Sequence, residues 1–583
     1  MKLGIDFGST YSTFSKYISE TDTVEALRLS EGAPVNIPSS VSVSKSGIIG
    51  VGESAKSLTG NRLYTVFDGF KMLLVESDKN IIYSKKYNDR YTPINVTKLY
   101  LEKILKGILD RFGQNEEIIE DIYICIPEIW CSQLSTLDGR SILINILKDI
   151  NVPIRKEGIK VVTEPEAASA YFAHNYEKQT GMSFNGHLLL IDYGGGTLDI
   201  TLTKVTSDGK GKMEIGYREG GGIGENHPDE FGNISLGSAG LVYLQQVLIL
   251  ALQENSVNGI NCSDIEFKRC LLDFENRLTS IDGVQAIKEK FADYNGYNNF
   301  DELFEEEPEE FFCFYYDEKE ITITYHHILK AYKKAIEPIL SSQIHDINRK
   351  ISNHIHMDPT CTEAGNRNDF KIALVGGFGS FYLVQKQIAE IYNITSNAKN
   401  DMRIKNIRTD QSEQAISLGA ALLAAGRVHL QKTARYSIGF LLQDVVGSSK
   451  PKLIFGIKYH QVLVPGKPYF LCYPNAVDDS PENRLKFTSL RNNIKIFALG
   501  FSDDFNKFSR LKIKDSFIRK LQNAPEEALW YVGFSIDENS IISLHIEPYS
   551  SSDNKGKCMD IPLASYGEMF DFSSVEEEDI NEF

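Results

Sequence analysis

The sequence predicts an α/β fold that contains two similar halves and is followed by a smaller, strand-rich domain. Two apolar strands, Lys2–Phe7 and His187–Ile191, each carry an acidic residue at or beside their end and run into a turn of glycine and hydroxyl residues. A further strand follows each turn, and strands alternate with helices between the two units. Alternation of this kind is typical of α/β domains, and the repeated unit indicates an internally duplicated fold.

The composition indicates a folded protein that does not bind nucleic acid or membranes. Of 583 residues, 42% are hydrophobic, which is enough for sizeable cores. The net charge of −17 repels phosphate backbones. No apolar run approaches the roughly 18 residues that a membrane helix needs, and no signal-type stretch is recognised. The 8 cysteines form no CxxC pair, as expected for reduced thiols. We therefore expect a cytoplasmic location.

Three glycine-containing turns are predicted within about the first 430 residues. The first turn contains Gly8, Ser9, Thr10 and Tyr11, after Asp6. The second contains Gly194, Gly195, Gly196 and Thr197, after Asp192, and continues as the strand Leu198–Val205. The third contains Gly376, Gly377 and Phe378, and it follows the strand Lys371–Val375 and precedes a helix over Tyr382–Tyr392.

Other elements are predicted from local signals. Asp121–Ile126 is predicted as a strand that stops at Pro127, and Ala167–Tyr176 as a helix entered through Thr163-Glu164-Pro165, because proline is tolerated in the first turn of a helix. Phe311–Tyr325 is strand-like. From about Tyr436 the sequence becomes strand-rich, as in the alternation over Ile542–Glu547. The acidic end, Ser573–Phe583, is expected to be frayed.

The glycine turns indicate phosphate binding. Without a Cβ, backbone N–H groups approach phosphate oxygens closely, and neighbouring hydroxyls add donors. Asp6 and Asp192 stand at the ends of the two equivalent strands, and two facing carboxylates suit a magnesium ion that is held through its waters. Gly376 and Gly377 would let a nucleoside approach where side chains would obstruct it. The sequence therefore predicts a site for a magnesium-bound nucleotide.

These motifs resemble those of DnaK-type (70-kDa heat-shock) chaperones, a family of the actin-like nucleotidase superfamily. Gly4–Ser12 is similar to the family's first phosphate motif, Ile191–Ile200 to its second and Leu374–Phe378 to its adenosine motif. The resemblance covers roughly residues 1–430 and is faint beyond Tyr436. Three further segments are most similar to a divergent branch, heat-shock family member twelve: Phe70–Leu73, Ile126–Trp130 and Thr163–Ala168.

The resemblance implies a two-lobed ATPase with duplicated ribonuclease-H-like lobes over residues 1–433. A strand-rich domain, 434–583, would follow and would bind a polypeptide client or another ligand. ATP or ADP with Mg²⁺ would occupy the cleft between the lobes. Asp6 and Asp192 would hold the magnesium, and the first two turns would wrap the phosphates. Lys71 would lie near the γ-phosphate, with Glu164 and Asp199 completing the polar cage.

Several positions depart from the family pattern. Leu134 stands where mainstream chaperones have a relay arginine, and Ser380 where an arginine usually packs on the adenine. On the adenine side, Glu275 with Arg277, or alternatively Lys288, would supply the helix contacts. Arg427–Arg435 is short and basic and lacks the family's apolar, acidic linker. These departures predict weak coupling between nucleotide state and the C-terminal domain.

Three other functions use similar turns. A nucleotide-sensing scaffold would bind ATP and hydrolyse it negligibly, and the missing relay residues are compatible with it. An actin-like assembling ATPase would need self-assembly surfaces, and the C-terminal addition and the charge disfavour it. A sugar kinase should carry neither Thr163–Ala168 nor Pro127 after a strand. We therefore expect a DnaK-like ATPase with slow hydrolysis.

Overall fold

The fold is described from a computed structural model. It describes residues 1–75, 87–113, 118–128, 130, 139–208, 212–223, 226–228, 234–236, 239–257, 259–262, 264–292, 307–357, 370–392, 412–434, 437–442, 452–458, 461–487, 507–513, 529–549, 558–562 and 570–579. Leu134 lies outside these residues. By density of contacts the chain divides into two compact units. The first contains Met1–Ile129, Asn145–Ile215 and Glu219–His429, and the second contains Trp130–Ile144, Gly216–Arg218 and Leu430–Phe583.

The strands are as follows. In the first half of the chain they are β1 (Lys2–Asp6), β2 (Tyr11–Ile18), β3 (Thr23–Ala26), β4 (Ile37–Pro38), β5 (Ser40–Ser44), β6 (Ile49–Val51), β7 (Tyr64–Asp68), β8 (Asp121–Ile126), β9 (Ile159–Thr163), β10 (Gly186–Tyr193), β11 (Leu198–Ser207), β12 (Met213–Ile223), β13 (Asn226–Pro228) and β14 (Ile234–Leu236). In the second half they are β15 (Glu310–Tyr316), β16 (Lys319–Thr324), β17 (Phe370–Val375), β18 (Val428–Gln431), β19 (Ile438–Leu442), β20 (Lys452–Ile457), β21 (Tyr469–Phe470), β22 (Lys486–Phe487), β23 (Lys507–Ile513), β24 (Trp530–Ile536), β25 (Ile542–Pro548), β26 (Met559–Pro562) and β27 (Phe570–Asp579).

Among the described residues, the α-helices precede β18. They are α1 (Glu53–Lys56), α2 (Pro93–Phe112), α3 (Gly139–Asp149), α4 (Glu164–Thr180), α5 (Gly240–Glu254), α6 (Ile265–Thr279), α7 (Ile281–Ala292), α8 (Tyr325–Ala335), α9 (Glu337–Met357), α10 (Tyr382–Ile391) and α11 (Ala415–Ala424). Among the described residues, none of the helices is both long and apolar enough to cross a bilayer.

The same strand pairing recurs around β1 and β10. In the first sheet, β1 is antiparallel to β2 and parallel to β8, and the order is β3-β2-β1-β8-β9. In the second sheet, β10 is antiparallel to β11 and parallel to β17, and the order is β17-β10-β11-β12-β18. The registers also correspond, because Asp6 faces Thr13 and Asp192 faces Asp199. The predicted repetition of a strand–turn–strand unit is therefore present in the mixed α/β architecture.

Small residues allow α11 to pack directly on α4 and on β1. A Cβ on Gly419 would lie 1.7 Å from the carbonyl oxygen of Ala167, and one on Gly4 would lie 2.2 Å from that of Ser417. The hydroxyls of Ser15 and Ser417 are hydrogen-bonded at 2.7 Å. Every residue of α11 is buried. This close approach fixes the position of α4, whose first residue is Glu164.

Local sequence explains where α4 begins. Thr163 caps the helix by accepting a hydrogen bond from the backbone N–H of Glu166, and the Glu166 side chain accepts one from the Thr163 N–H. This reciprocal capping box satisfies two backbone donors of the first turn. Pro165 occupies an early helical position, as predicted.

The segment predicted as strand-like over Phe311–Tyr325 is a hairpin followed by the start of α8. Strands β15 and β16 pair antiparallel on either side of Asp317 and Glu318, whose φ angles are 49° and 61°. Two consecutive positive φ values define a type I′ turn, which usually contains Asn or Gly. The sequence signal was missed because an Asp-Glu pair is not typical of that turn.

The second unit contains β-strands, in agreement with the predicted strand-rich sequence. Its largest sheet has the order β21-β24-β25-β26, and β22 also pairs with β24. Trp530, Val532, Phe534 and Ile536 alternate along β24 and are buried. Residues Trp130–Ile144 belong to this unit, and Arg140 donates a hydrogen bond of 2.8 Å to the carbonyl of Ser540, in the turn after β24.

The expectation of a frayed acidic tail is wrong for most of its length. Phe570–Asp579 forms strand β27, which pairs antiparallel with β23. In this register Lys507 stands opposite Asp579, and Arg510 opposite Glu576. The acidic composition alone indicated an exposed end and did not reveal the partner strand, which is remote in sequence.

Candidate functional site

The first glycine turn is held by its own backbone and by Ser39. A Cβ on Gly8 would lie 2.0 Å from the carbonyl oxygen of Tyr11, so this tight turn needs glycine. Ser39 donates from its hydroxyl to the Gly8 carbonyl at 2.7 Å and from its N–H to the Thr10 carbonyl at 2.8 Å. The carbonyls of Gly8 and Thr10 are therefore occupied by protein donors.

The second turn is supported by the start of α5. The N–H of Gly194 donates to the Thr197 carbonyl at 3.0 Å, which closes the turn between β10 and β11. The N–H groups of Gly240 and Leu241 donate to the carbonyls of Gly194 and Gly195 at 3.3 and 3.1 Å. Gly195 also lies beside the first turn, because a Cβ there would be 2.8 Å from Thr10 Oγ1. The two turns are thus in contact.

The third turn lies against the second. Gly376 has φ +81°, and a Cβ there would lie 2.5 Å from the Tyr193 carbonyl oxygen and 2.6 Å from Asp192 Oδ1. Gly377 has open space where a side chain would be. The ring of Phe378 packs edge-on against Tyr193, with centroids 4.9 Å apart. The parallel pairing of Asp192 with Val375 places the turn here.

Lys71 and Glu164 form a buried ion pair among these turns. Lys71 Nζ lies 2.6 Å from Glu164 Oε1, and their side chains are 3% and 7% exposed. Burial alone would lower the pKa of Lys71, but the charges of Glu164 and then of Asp6 outweigh it, so that the pKa is raised. Lys71 therefore stays protonated and is not a solvated surface lysine.

Asp6 and Asp192 share the electrostatic environment of this ion pair. Desolvation, and next the charge of Glu164, raise the pKa of Asp6 to about 7, against the opposing effect of Lys71. Desolvation followed by Glu164, Asp199 and Asp6 raises the pKa of Asp192 well above its ordinary value. The four carboxyl groups outnumber the one buried lysine, so a cation bound near them would be stabilised.

The structure brings most of the predicted residues into one neighbourhood. Asp6, Lys71, Glu164, Asp192 and Asp199 interact electrostatically. The members of the turns follow Asp6, Asp192 and Val375, and they are Gly8, Ser9, Thr10, Tyr11, Gly194, Gly195, Gly196, Thr197, Gly376, Gly377 and Phe378.

Sequence reasoning missed three residues around this cluster. Ser39 fastens the first turn, as described above. Lys56 donates a hydrogen bond to the Tyr11 hydroxyl, and its Nζ lies 4.3 Å from the centroid of the Tyr11 ring. Burial, followed by the charges of Asp6 and Glu164, raises the pKa of the Cys125 thiol well above its ordinary value. No motif spacing marks these residues, because each approaches the turns through tertiary packing.

The adenine-side alternatives differ in their contacts. Glu275 Oε2 lies 3.8 Å from Lys56 Nζ, and the guanidinium of Arg277 lies 5.4 Å from the centroid of the Phe311 ring. Lys288 is on α7. Ser380 donates to the Gly377 carbonyl at 2.7 Å, so its hydroxyl fastens the third turn. Glu275 is thereby connected through Lys56 to Tyr11 of the first turn.

Comparison with known proteins gives distant relatives. The chain is 26% identical over 217 residues to the movement protein Hsp70h of Lettuce infectious yellows virus, covering 34% of this chain and 37% of that protein. It is 26% identical over 224 residues to the chaperone protein DnaK of Thermosipho melanesiensis, and 25% identical over 215 residues to that of Nitrosopumilus maritimus. These two alignments cover 36% of this chain and 31% and 30% of the relatives.

No family model matches the sequence. The alignments span about a third of the length of the curated relatives. Over about a third of its length, this chain is homologous at low identity to the DnaK/Hsp70 family.

Proposed function

We propose that this protein is a DnaK-like ATPase that binds Mg·ATP and Mg·ADP and hydrolyses ATP slowly. The observation that carries the proposal is the buried Lys71–Glu164 pair beside Asp6 and Asp192, with three glycine turns around them. A site with this much negative charge and one buried cation suits a polyphosphate only when a divalent metal accompanies it. The recurrent pairing around β1 and β10 supports a duplicated, two-lobed arrangement.

Magnesium would be held through water. Within the part of the chain that the structure describes, no three His, Cys, Asp or Glu side chains are close enough to hold a metal ion directly. Asp6 and Asp192 would accept hydrogen bonds from the waters of the ion. Both carboxyls have raised pKa values, and a neighbouring cation would favour their ionised forms. When bound, magnesium neutralises charge on the phosphates.

Residues of the protein would bind the phosphates and the nucleoside and would stabilise the charge that develops during hydrolysis. Backbone N–H groups of the first and second turns would bind phosphate oxygens, and Gly377 would leave room for the nucleoside. Lys71 would stabilise the charge that develops on the transferred phosphoryl group or position the attacking water. Glu164 orients the ammonium group of Lys71 at 2.6 Å. Asp199, buried opposite Asp192, would complete the polar cage.

Titration calorimetry with Mg·ADP and a Mg·ATP analogue tests the proposal. Asp192→Asn should weaken binding only when magnesium is present, because it removes a charge beside the ion. The exposed Asp110→Asn is a matched control and should bind as the wild type does. Unchanged magnesium-dependent affinity in Asp192→Asn would show that the nucleotide site is elsewhere.

The second unit would bind a polypeptide client or another ligand, as a chaperone-like role requires, and the protein would act in the cytoplasm. The finer assignment to the branch of heat-shock family member twelve rests on Phe70–Leu73, Ile126–Trp130 and Thr163–Ala168. The runner-up is a nucleotide-sensing scaffold, which the departure at Leu134 favours. ATPase turnover with and without an unfolded client separates the two. Sedimentation in ATP and ADP tests actin-like assembly.

A further inference from the structure

A surface cleft lies between helix α6 and strand β15. Its volume is about 490 Å³, which is within the range of small-ligand sites. It is lined by Arg269, Asp273 and Asn276 of α6 and by Phe312, Cys313, Phe314 and Tyr315 of β15. The three residues of α6 recur at intervals of four and three, so they lie on one face of the helix. Glu275, the residue connected to Lys56, is not among the lining residues.

Within the described residues, Arg269 and Asp273 of the cleft do not form an ion pair with each other. Arg269 and Asp273 are separated by one helical turn, a spacing at which such residues often pair. The only ion pair of Arg269 within the described residues is with Glu266 at 3.6 Å, and these side chains are 63% and 43% exposed. Exposed pairs of this kind contribute little to stability, because water screens the two charges. A ligand carboxylate can therefore displace Glu266 from Arg269, and a ligand ammonium can pair with Asp273.

The backbone of β15 contributes polar groups to the cleft, on the edge of the strand that faces α6. The residues that flank a type I′ turn exchange hydrogen bonds, so Tyr316 pairs with Lys319 in this way. Two residues before Tyr316, Phe314 likewise exchanges backbone hydrogen bonds with Ile321. The main-chain groups of Cys313 and Tyr315 therefore point away from β16. The Tyr315 carbonyl accepts from Cys270 Sγ at 3.4 Å, which shows that this edge faces α6.

Aromatic side chains form the other wall. Phe312 and Phe314 are stacked with centroids 6.1 Å apart, and Tyr315 is 62% exposed. Phe274 of α6 contacts both Phe311 and Phe312, at 6.3 Å between centroids, and closes the space between helix and strand. An apolar ligand group would thus rest on aromatic rings while its polar end faced the two charges.

We propose that this cleft binds a free α-amino acid with an apolar or aromatic side chain. Arg269 binds the carboxylate, Asp273 binds the ammonium group, and the ligand side chain packs on Phe312, whose ring stacks on Phe314. Asn276 and the Cys313 main chain offer further hydrogen bonds. The site is separate from the glycine turns, and its occupancy does not depend on the proposed nucleotide site.

Calorimetry on the full-length protein with L-phenylalanine tests this site. We expect a Kd of about 1 mM or tighter. Phenylalaninamide and N-acetylphenylalanine each lack one of the two charges, and each should bind about tenfold more weakly or worse. Arg269→Gln should abolish the preference for phenylalanine over its amide, and Asp273→Asn the preference over the N-acetyl compound.

Arg349→Gln is the matched control, because Arg349 also forms an exposed pair at 3.6 Å, with Asp346 on α9. It should leave binding unchanged. The proposal would be overturned by no binding at about 10 mM phenylalanine. Equal binding of all three compounds, or unchanged binding in both cleft variants, would overturn it as well.

Discussion

Lys71 and Glu164 are 93 positions apart in the sequence and 2.6 Å apart in the fold. The pair connects the segment after β7 to the first residue of α4. Because both side chains are almost fully buried, each depends on the other for compensation of its charge. The ion pair therefore has two expected roles: it stabilises the fold, and it places Lys71 beside Asp6 and Asp192, where it would act in hydrolysis. The first two predictions separate these roles.

Replacement of Lys71 should lower hydrolysis more than binding. A group that stabilises developing charge acts mainly in the transition state. We expect Lys71→Ala to reduce the rate constant of hydrolysis in single-turnover assays about 100-fold or more and to change nucleotide affinity little. An unchanged rate would show that Lys71 has only a structural role.

The same pair should matter for stability. Lys71→Met leaves Glu164 buried without its cation and should cost about 3–5 kcal/mol. The double variant with Glu164→Gln should recover much of this loss, because it removes both charges together. Urea denaturation of the nucleotide-free protein measures the effect. Equal destabilisation in the single and double variants would contradict the coupling of the two residues.

Asp6 predicts a specific pH dependence for the nucleotide-free protein. Its pKa is raised from an ordinary value of about 4 to about 7, so the folded state binds a proton that the unfolded state has lost. The stability that this proton confers is present below about pH 4 and is lost as the pH rises to about 7.

Asp6→Asn should therefore be more stable than the wild type at pH 8, and the difference should shrink towards pH 5. Thermal unfolding over this range, with Asp110→Asn as the control, checks the sign. A destabilised Asp6→Asn protein at pH 8 would contradict the electrostatic account.

The close contact between α11 and α4 predicts that adding one methyl group at Gly419 lowers the stability of the protein. Gly419→Ala places a Cβ against the backbone of Ala167, which cannot move as a side chain can. We expect a loss of about 1–3 kcal/mol. Gly107→Ala is the matched control within α2, because its Cβ would meet only Leu29 at 3.7 Å. That variant should be neutral or stabilising by up to about 1 kcal/mol. Similar melting temperatures for both variants would contradict the packing argument.

Coupling between nucleotide state and the second unit should be weak. By the resemblance to DnaK-type chaperones, Leu134 would stand at the position of the relay arginine, and Arg427–Arg435 would stand in place of the apolar, acidic linker. Differential contacts are what coupling requires. We expect the affinity of residues 436–583 for a ligand to differ less than about tenfold between saturating ATP and ADP. A larger shift would show that another connection transmits the nucleotide state.

The sequence by itself determined the elements that local chemistry encodes. The three glycine turns after apolar strands, the entry into α4 through Thr163-Glu164-Pro165 and the start of α10 at Tyr382 all lie where they were predicted. Their signals are local because glycine, proline and capping residues act within a few positions of the backbone. The same patterns carried the family resemblance, and the distant relatives confirm it at the level of the DnaK/Hsp70 family.

Only the tertiary structure decided which residues meet. The pairing of Lys71 with Glu164, the support of the first turn by Ser39 and the proximity of Lys56 to Tyr11 join segments that no sequence period relates. Strand β27 was missed for the same reason, because it pairs with β23, which is remote in sequence. The Asp-Glu turn of the β15–β16 hairpin was missed because that pair is not typical of a type I′ turn. The Asp317 N–H donates to Glu266 of α6 at 3.2 Å, and a contact of this kind depends on tertiary packing and not on local sequence.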